Sequence, residues 1–466
     1  MKNIIDKIKK MPMGHIPMGK ILPKKMKDFY ANTGDKPIYA GFKNKVDVHA
    51  GISGKMVLNT KGLWEKISCL PDTSERRALY VHIPFCLARC KFCSFYQGRS
   101  KEEDISKYVK YLIKELEMTA ESKFAQSKPF NAVYFGGGTP TDLSVDEFDL
   151  ILKTINTRFP LANDVEYTIE GRNYGFGDGK IEACLKNGVN RFSFGVQSFD
   201  TEIRQKMGRI EKKEDLVKRL EDITSKYDVT VSIDLIYGLP GQSQEKWLED
   251  MTMAYELEGV DSVSVYNLKY LPGSPIKDLV KQGKLEEPAT MREQADLFLF
   301  TKDFFNRANA KRLGLRHWAF SNRDRSIYNF IPKYDQTVLP VGCGAGGRVG
   351  NHKLMQRMEV EKYYQYLDEG RKPIKFAVEI KNDIGINGHF IGSLEEFLQI
   401  DFKMAAKKFN QPDLIEMYKP LLEQWEESGM ITFDGQTMKL TPASEYHNVN
   451  IQQNMVEYFN WKKNGK

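Results

Sequence analysis

Three cysteines, Cys86, Cys90 and Cys93, crowd together as C-x3-C-x2-C. Thiolates at that spacing form a ligand set for one metal centre or cluster. The other three, Cys69, Cys184 and Cys343, stand alone, so the six do not make a disulfide framework and fit a reducing, cytoplasmic setting. On a [4Fe-4S] cube, three cysteines leave one iron without a protein ligand and open to substrate. The alternative is a structural zinc with His82 as fourth ligand, but the β-type run 79–83 followed by Pro84 places that histidine in a packed strand end.

A second candidate element follows downstream, Tyr134-Phe135-Gly136-Gly137-Gly138-Thr139-Pro140, behind another β-type run. Glycines there would let a ligand's ammonium or carboxylate reach backbone groups. The segment lacks the Lys-Ser/Thr of a phosphate loop and the G-x-G-x-x-G spacing of a dinucleotide fold, so those nucleotide readings fail. Glu170, Gln197, Arg209 and Asp234 fall at or near expected strand ends. A carboxylate in such a place binds ribose hydroxyls or an ammonium, and an arginine pairs with a carboxylate; a structural salt-bridge network is the alternative.

Short β-branched or aromatic runs alternate with amphipathic stretches from Tyr80 to Tyr266, which predicts βα units and a parallel sheet. Strands are expected at 79–83, 132–135, 165–169, 191–194, 229–236 and 262–266, with the functional groups at their C-terminal ends. Ser100 with Glu103 predicts a capping box before Ile105, Tyr108, Val109, Leu112 and Leu116. Ser144 with Glu147 predicts another before Phe148, Ile151, Leu152 and Ile155. After the glycine-rich segment 341–350 the pattern becomes helical, and it closes on a hairpin around Gly435 of winged-helix type, behind a helix broken or kinked near Pro420. Acidic Asp413, Glu416, Glu423, Glu426 and Glu427 on that helix would repel phosphate, so the wing reads as a structural or lid element.

The chain has 466 residues, 41% of them apolar and 28% charged, enough for a large core in two or three domains. No apolar run approaches the length of a membrane span, the first residues do not read as a secretory signal, and a net charge of +7 does not call for nucleic acid. The expected divisions are a basic extension over 1–70, an α/β unit over 71–350 and a helical, winged-helix-like unit over 351–466.

The segment Tyr80-Val-His-Ile-Pro-Phe-Cys86-Leu-Ala-Arg-Cys90-Lys-Phe-Cys93 resembles the signature of radical S-adenosylmethionine (SAM) enzymes, in the branch of anaerobic coproporphyrinogen dehydrogenases. That resemblance implies a partial (β/α)6-type barrel, a [4Fe-4S] cluster on Cys86, Cys90 and Cys93, and one or two SAM molecules cleaved to a 5'-deoxyadenosyl radical. Gly136 to Pro140 matches the family's GGGTP motif. The resemblance also assigns Glu170, Gln197, Arg209 and Asp234 to SAM, and adds Tyr80, Phe92, Gly137, Gly138, Thr139 and Leu268 as SAM contacts, several of them to a second molecule. The late motif Gly342-Cys343-Gly344-Ala345-Gly346-Gly347 is present, but Arg348 stands where the family has an aliphatic residue beside adenine.

Three relatives in this branch handle tetrapyrroles. Coproporphyrinogen dehydrogenases follow the third cysteine with Gly-Cys, whereas here Ser94-Phe95-Tyr96 follows; haem chaperones carry an H-N-x-x-Y-W motif where this chain reads Arg316-His317-Trp318-Ala319-Phe320. The long leader and the aromatic pair after the cysteines are similar to the anaerobic haem-degrading enzymes, the anaerobilin synthases. That likeness implies haem opened by a SAM-derived carbon group, with iron release. Coproporphyrinogen dehydrogenation and haem chaperoning remain the alternatives. Implied partners are haem, a flavodoxin-like electron donor, and a downstream anaerobilin reductase or haem carrier. His317, then His352, His15 and His389, are candidate axial ligands, and Arg316 with the basic leader a candidate propionate contact.

Overall fold

The computed structural model describes residues 25–32, 38–47, 54–94, 101–271, 273–380, 384–463 and 465. His15, Ser100 and most of the basic leader lie outside them.

Six parallel strands form the centre of the structure: β1 (Arg77–Ile83), β2 (Phe130–Gly137), β3 (Leu161–Gly171), β4 (Arg191–Gln197), β5 (Thr230–Tyr237) and β6 (Ser262–Asn267), each paired with the next. All six expected strands are present. Thr337–Val341 runs parallel on the free side of β1, and His317–Ala319 pairs antiparallel with β6, so the array stays open rather than closing on itself. Antiparallel strands extend the same sheet through Gly346–Val349, His352–Gln356, Ile374–Ile380 and Gly54–Val57. One sheet therefore crosses the divisions expected at 70 and 350.

The helices between the strands are amphipathic and bury one face against the sheet. In Glu102–Ala120 the buried residues include Ile105, Tyr108, Val109, Leu112 and Leu116, at helical spacing. Its start differs by one residue from expectation: Lys101 occupies the cap, and its N–H donates to the Asp104 carboxylate at 3.0 Å. Val145–Arg158 opens on the expected box, with Ser144 N–H donating to Glu147 at 2.8 Å and Glu147 N–H to the Ser144 hydroxyl at 3.3 Å.

The C-terminal part has its own apolar core, built on Leu414–Glu427, Asn448–Lys463 and a three-stranded sheet of Gln399–Asp401, Thr437–Leu440 and Ile431–Phe433. The expected hairpin is there, but the helix runs through Pro420 unbroken. The N-terminal segment packs into this core. Phe29 is fully buried beside Tyr458, and the indole N–H of Trp425 donates to Phe29 O at 3.0 Å. Ala31 exchanges both backbone hydrogen bonds with the Gln424 amide at 2.9 Å each. A phenylalanine so buried contributes about 2–3 kcal/mol, which fixes the segment across the C-terminal helices. Among the described residues no helix is long and apolar enough to cross a membrane.

Candidate active site

The cysteine loop leaves the C-terminal end of β1 and is pinned from several sides. Leu87 N–H donates to Asp142 at 3.1 Å, Lys91 N–H to Met207 O at 2.9 Å, and the Arg89 guanidinium to Gly273 O at 2.7 Å. Beneath it lies the glycine turn after β2. Gly138 N–H donates to Ile83 O and Thr139 N–H to Phe85 O, both at 2.7 Å. A Cβ on Gly138 would stand 2.3 Å from Phe85 O, and one on Gly137, whose φ is +105°, would run into the His82 ring. These glycines are needed so that two loops can touch backbone to backbone. The N–H groups of Gly138 and Thr139 are used in these contacts, which leaves the turn's other backbone groups for a ligand.

Above the turn opens a cavity of about 210 Å³. Cys86, Cys90, Cys93, Phe92, Gly137, Gly138, Thr139, Glu170, Gln197, Arg209 and Asp234 all line it. The two expected contacts that do not are Tyr80 and Leu268. Tyr80 stacks inside the barrel with Tyr134 and Tyr328, and its hydroxyl lies 3.0 Å from His82 Nδ1. Leu268 packs with Ile203, Met207, Leu239 and Ile276 behind the wall. His82 is likewise absent from the cavity wall, its Nδ1 facing the Tyr80 hydroxyl, so the zinc alternative loses its fourth ligand.

The donor set suits a cluster. No cysteine is in a disulfide, all three thiols face one cavity, and burial pushes Cys86 up to about 11 despite the Thr139 hydroxyl that hydrogen-bonds it. Such a thiol loses its proton when a metal binds.

Deeper in the cavity, Glu170 at the end of β3 and Asp234 on β5 form an acidic pair. Burial and the neighbouring Asp234 raise Glu170 to about 7, and burial raises Asp234 to about 6. A cationic ligand would draw both into the ionised form. Gln197 sits at a bulge in β4 with φ at +65°, which turns its side chain into the cavity, where its Oε1 is buried without a partner. Arg209 Nε is also buried and unpaired, and its guanidinium lies 6.0 Å from the Phe92 ring. A buried, unpaired donor and acceptor on the same wall mark a place for a polar ligand.

The radical SAM superfamily pattern matches residues 80–254. Anaerobilin synthase from Escherichia coli O157:H7 is 34% identical over 395 residues, covering 84% of this chain and 87% of the relative. The chain belongs to the radical SAM superfamily. An oxygen-independent coproporphyrinogen III oxidase from Helicobacter pylori (strain ATCC 700392 / 26695) is 26% identical over 78% of this chain and 82% of its own. The solved structure of coproporphyrinogen III oxidase (HemN) from Escherichia coli, itself a radical SAM enzyme, covers 86% of this chain and 95% of its own at 22% identity with a TM-score of 0.74, which shows a shared fold. As a radical SAM protein the chain takes a [4Fe-4S] cluster and SAM as cofactors.

Sequence reasoning missed Arg172, Asn173, Tyr174, Arg204, Ile210 and Glu211 on the wall of this radical SAM cavity. The first three follow β3 directly, so the strand-end rule extended by a few residues would have found them. Arg204 holds the shape of the wall, donating to Val196 O at 2.8 Å and Glu211 O at 3.0 Å.

The haem candidates lie elsewhere. His317 is buried with both ring nitrogens engaged, Nδ1 2.8 Å from Ser264 Oγ and Nε2 3.0 Å from Asp324, so in this arrangement it has no nitrogen for an iron. His352 is buried at the start of its strand and is absent from the cavity wall, and His389 sits between the Tyr334 and Phe409 rings. Arg348 donates to Gly350 O at 2.9 Å and is absent from the SAM cavity wall. Arg316 stands 3.8 Å from Glu395 and lines a second, smaller cavity.

Proposed function

We propose that the protein is an oxygen-independent haem-degrading radical SAM enzyme of the anaerobilin synthase type, adding a SAM-derived carbon group to haem and opening the macrocycle with release of iron. The observation that carries this reading is the 34% identity to anaerobilin synthase, sustained over 84% of this chain. Ser94-Phe95-Tyr96 after the third cysteine supports it over coproporphyrinogen dehydrogenation.

In this proposal Cys86, Cys90 and Cys93 hold the cluster. When bound, cluster and SAM together supply a reducing electron and a carbon radical. The protein's own residues bind and orient. Arg209 and Gln197 offer SAM the buried donor and acceptor they leave unpaired, and Glu170 and Asp234 receive its positive charge. The inward Tyr80, Tyr134 and Tyr328 stack lies beside Glu170, to which Tyr134 gives a side-chain hydrogen bond. The remaining cysteines are exposed Cys69 and buried Cys184 and Cys343, far apart in sequence, so electrons come from an external flavodoxin-like donor. A downstream anaerobilin reductase or a haem carrier is the further partner of this reading.

The test is anaerobic incubation of reconstituted protein with reductant, SAM and either haem or coproporphyrinogen, followed by product masses. Iron-free, opened tetrapyrrole from haem is expected. Loss of carbon dioxide from coproporphyrinogen, with haem untouched, would overturn the assignment in favour of the dehydrogenase.

A further inference from the structure

A second cavity of about 30 Å³ opens at the rim of the same barrel, where the N-terminal segment, the ends of β5 and β6 and the C-terminal helices meet. Three cations line it: Lys45, Lys269 and Arg316. Two acids share the wall, but Glu445 is bound to Lys302 at 2.6 Å and Arg312 at 2.7 Å. That leaves Asp47, whose carboxylate pairs with Lys45 at 3.2 Å while only its backbone carbonyl accepts from Lys269, at 2.6 Å. The 3.8 Å from Arg316 to Glu395 is longer than a hydrogen bond.

Within the cavity, one available carboxylate thus faces three cations. Burial, together with Arg316 and Lys45, pushes Lys269 down to about 8. Buried like charges oppose folding unless a counter-charge joins them. An anion fits, and the small volume restricts it to a group about the size of a carboxylate.

The surroundings fit a flat apolar body attached to that group. Tyr266 on β6 is 41% exposed and shares a strand face with Ser264, which hydrogen-bonds Asp234, while its neighbours Val265 and Asn267 line the second cavity. Tyr270, beside Lys269, is 44% exposed. Asp234 and Tyr237, one lining each cavity, are three residues apart on β5 and so point to opposite faces of the sheet; the two cavities flank the C-terminal rim of β5 and β6, and a ligand joins them over that rim.

We propose that Lys45, Lys269 and Arg316 form a carboxylate subsite that seats a propionate of the tetrapyrrole and lays the macrocycle against Tyr266 at the mouth of the cysteine-lined cavity. The identity of the macrocycle as haem rests on the function proposed above; the subsite itself rests on the cations and the cavity. Arg316 suits this task because its planar fork meets a carboxylate with two donors.

The experiment titrates the reconstituted full chain with haem and with haem dimethyl ester, whose propionates are uncharged, following the Soret band. The parent should bind haem about tenfold or more tightly than the ester. Lys269→Met and Arg316→Met should each weaken haem binding about tenfold and erase that preference, and Arg316→Lys should restore part of it. Iron content and SAM affinity report whether each variant has folded. Lys45→Gln, on the N-terminal segment outside the barrel, repeats the test if a barrel variant fails to fold. Unchanged haem affinity and an unchanged acid-over-ester preference in the variants overturn the subsite while leaving the haem reading intact. If the parent binds coproporphyrin but not haem, and the variants weaken that binding, the subsite stands and the haem reading falls. If no tetrapyrrole binds to the parent, both fall.

Discussion

His317 and Asp324 form a closed pair inside the barrel: Nε2 stands 3.0 Å from the carboxylate, and the opposite nitrogen is held by Ser264. Asp324 in turn receives two donors from Arg191 at 3.0 Å each. Burial alone would raise the Asp324 carboxyl, but Arg191 and His317 hold it far below the usual carboxylate range. Ser264 also hydrogen-bonds Asp234, so the pair reaches the SAM cavity through a single hydroxyl.

His317→Ala should therefore cost stability, about 1–3 kcal/mol for the buried partners it strands. The haem spectrum should not change, because neither ring nitrogen reaches the iron. Denaturant midpoints and a haem titration check both halves. A Soret band displaced in the variant would reinstate imidazole ligation.

The acidic pair predicts a pH dependence. Glu170 has an ordinary value of 4.5 and is raised to about 7 in the fold. Between those values the folded chain keeps a proton that the unfolded chain has released, so this group's contribution to stability falls as pH rises through the window. Glu170→Gln removes the penalty. The SAM-free variant should be more stable than the parent at pH 8, on the order of 1–3 kcal/mol, and equal to it near pH 4. SAM affinity of the parent should drop as pH is lowered through about 7 to about 6, where Glu170 and then Asp234 become neutral. A flat affinity over that range would remove the two carboxylates from SAM binding.

Gly138→Ala puts a methyl group 2.3 Å from Phe85 O. Backbone cannot yield as a flexible side chain does, so the cysteine loop must move, at about 1–3 kcal/mol. Iron incorporation after anaerobic reconstitution should fall towards that of Cys93→Ala, with the far-ultraviolet circular dichroism retained. Gly177→Ala, where a Cβ meets nothing within 4 Å, is the control and should load iron normally. Full iron content in Gly138→Ala would show that the glycine turn does not shape the cluster loop.

Lys372 and Glu115 form a fully buried ion pair at 2.7 Å, and Glu115 also accepts from Gly342 N–H and the Tyr363 hydroxyl. Removing the ammonium by Lys372→Met strands a buried carboxylate, a loss of about 3–5 kcal/mol. Adding Glu115→Gln should recover part of it, because the charge is gone while an acceptor for Gly342 and Tyr363 remains. Urea unfolding of the single and double variants measures the coupling. Equal midpoints for the two variants would show that the stranded charge is not what the single variant loses.

Much of this enzyme was legible in the chain itself, for local reasons. The spacing of Cys86, Cys90 and Cys93 is a property of consecutive residues, and so is the alternation that places all six parallel strands. Glu170, Gln197 and Asp234 were singled out by resemblance to the family pattern, at or near expected strand ends, and all three line the cavity. What stayed hidden depends on contacts between distant segments. The sequence put His317 forward as a ligand because an imidazole beside Trp318 looks available; only the approach of Ser264 and Asp324 takes both of its nitrogens. It showed the glycine turn but not its packing, in which the N–H groups of Gly138 and Thr139 are given to Ile83 O and Phe85 O. Lys45, Lys269 and Arg316 meet across 271 residues of chain, with Lys45 carried there by the segment whose Phe29 is buried in the C-terminal core. Periodicity and motif spacing encode which residues face inward along one element, but they carry no information on which distant partner will meet them. That pairing is set by the joint burial of apolar faces from separate parts of the chain.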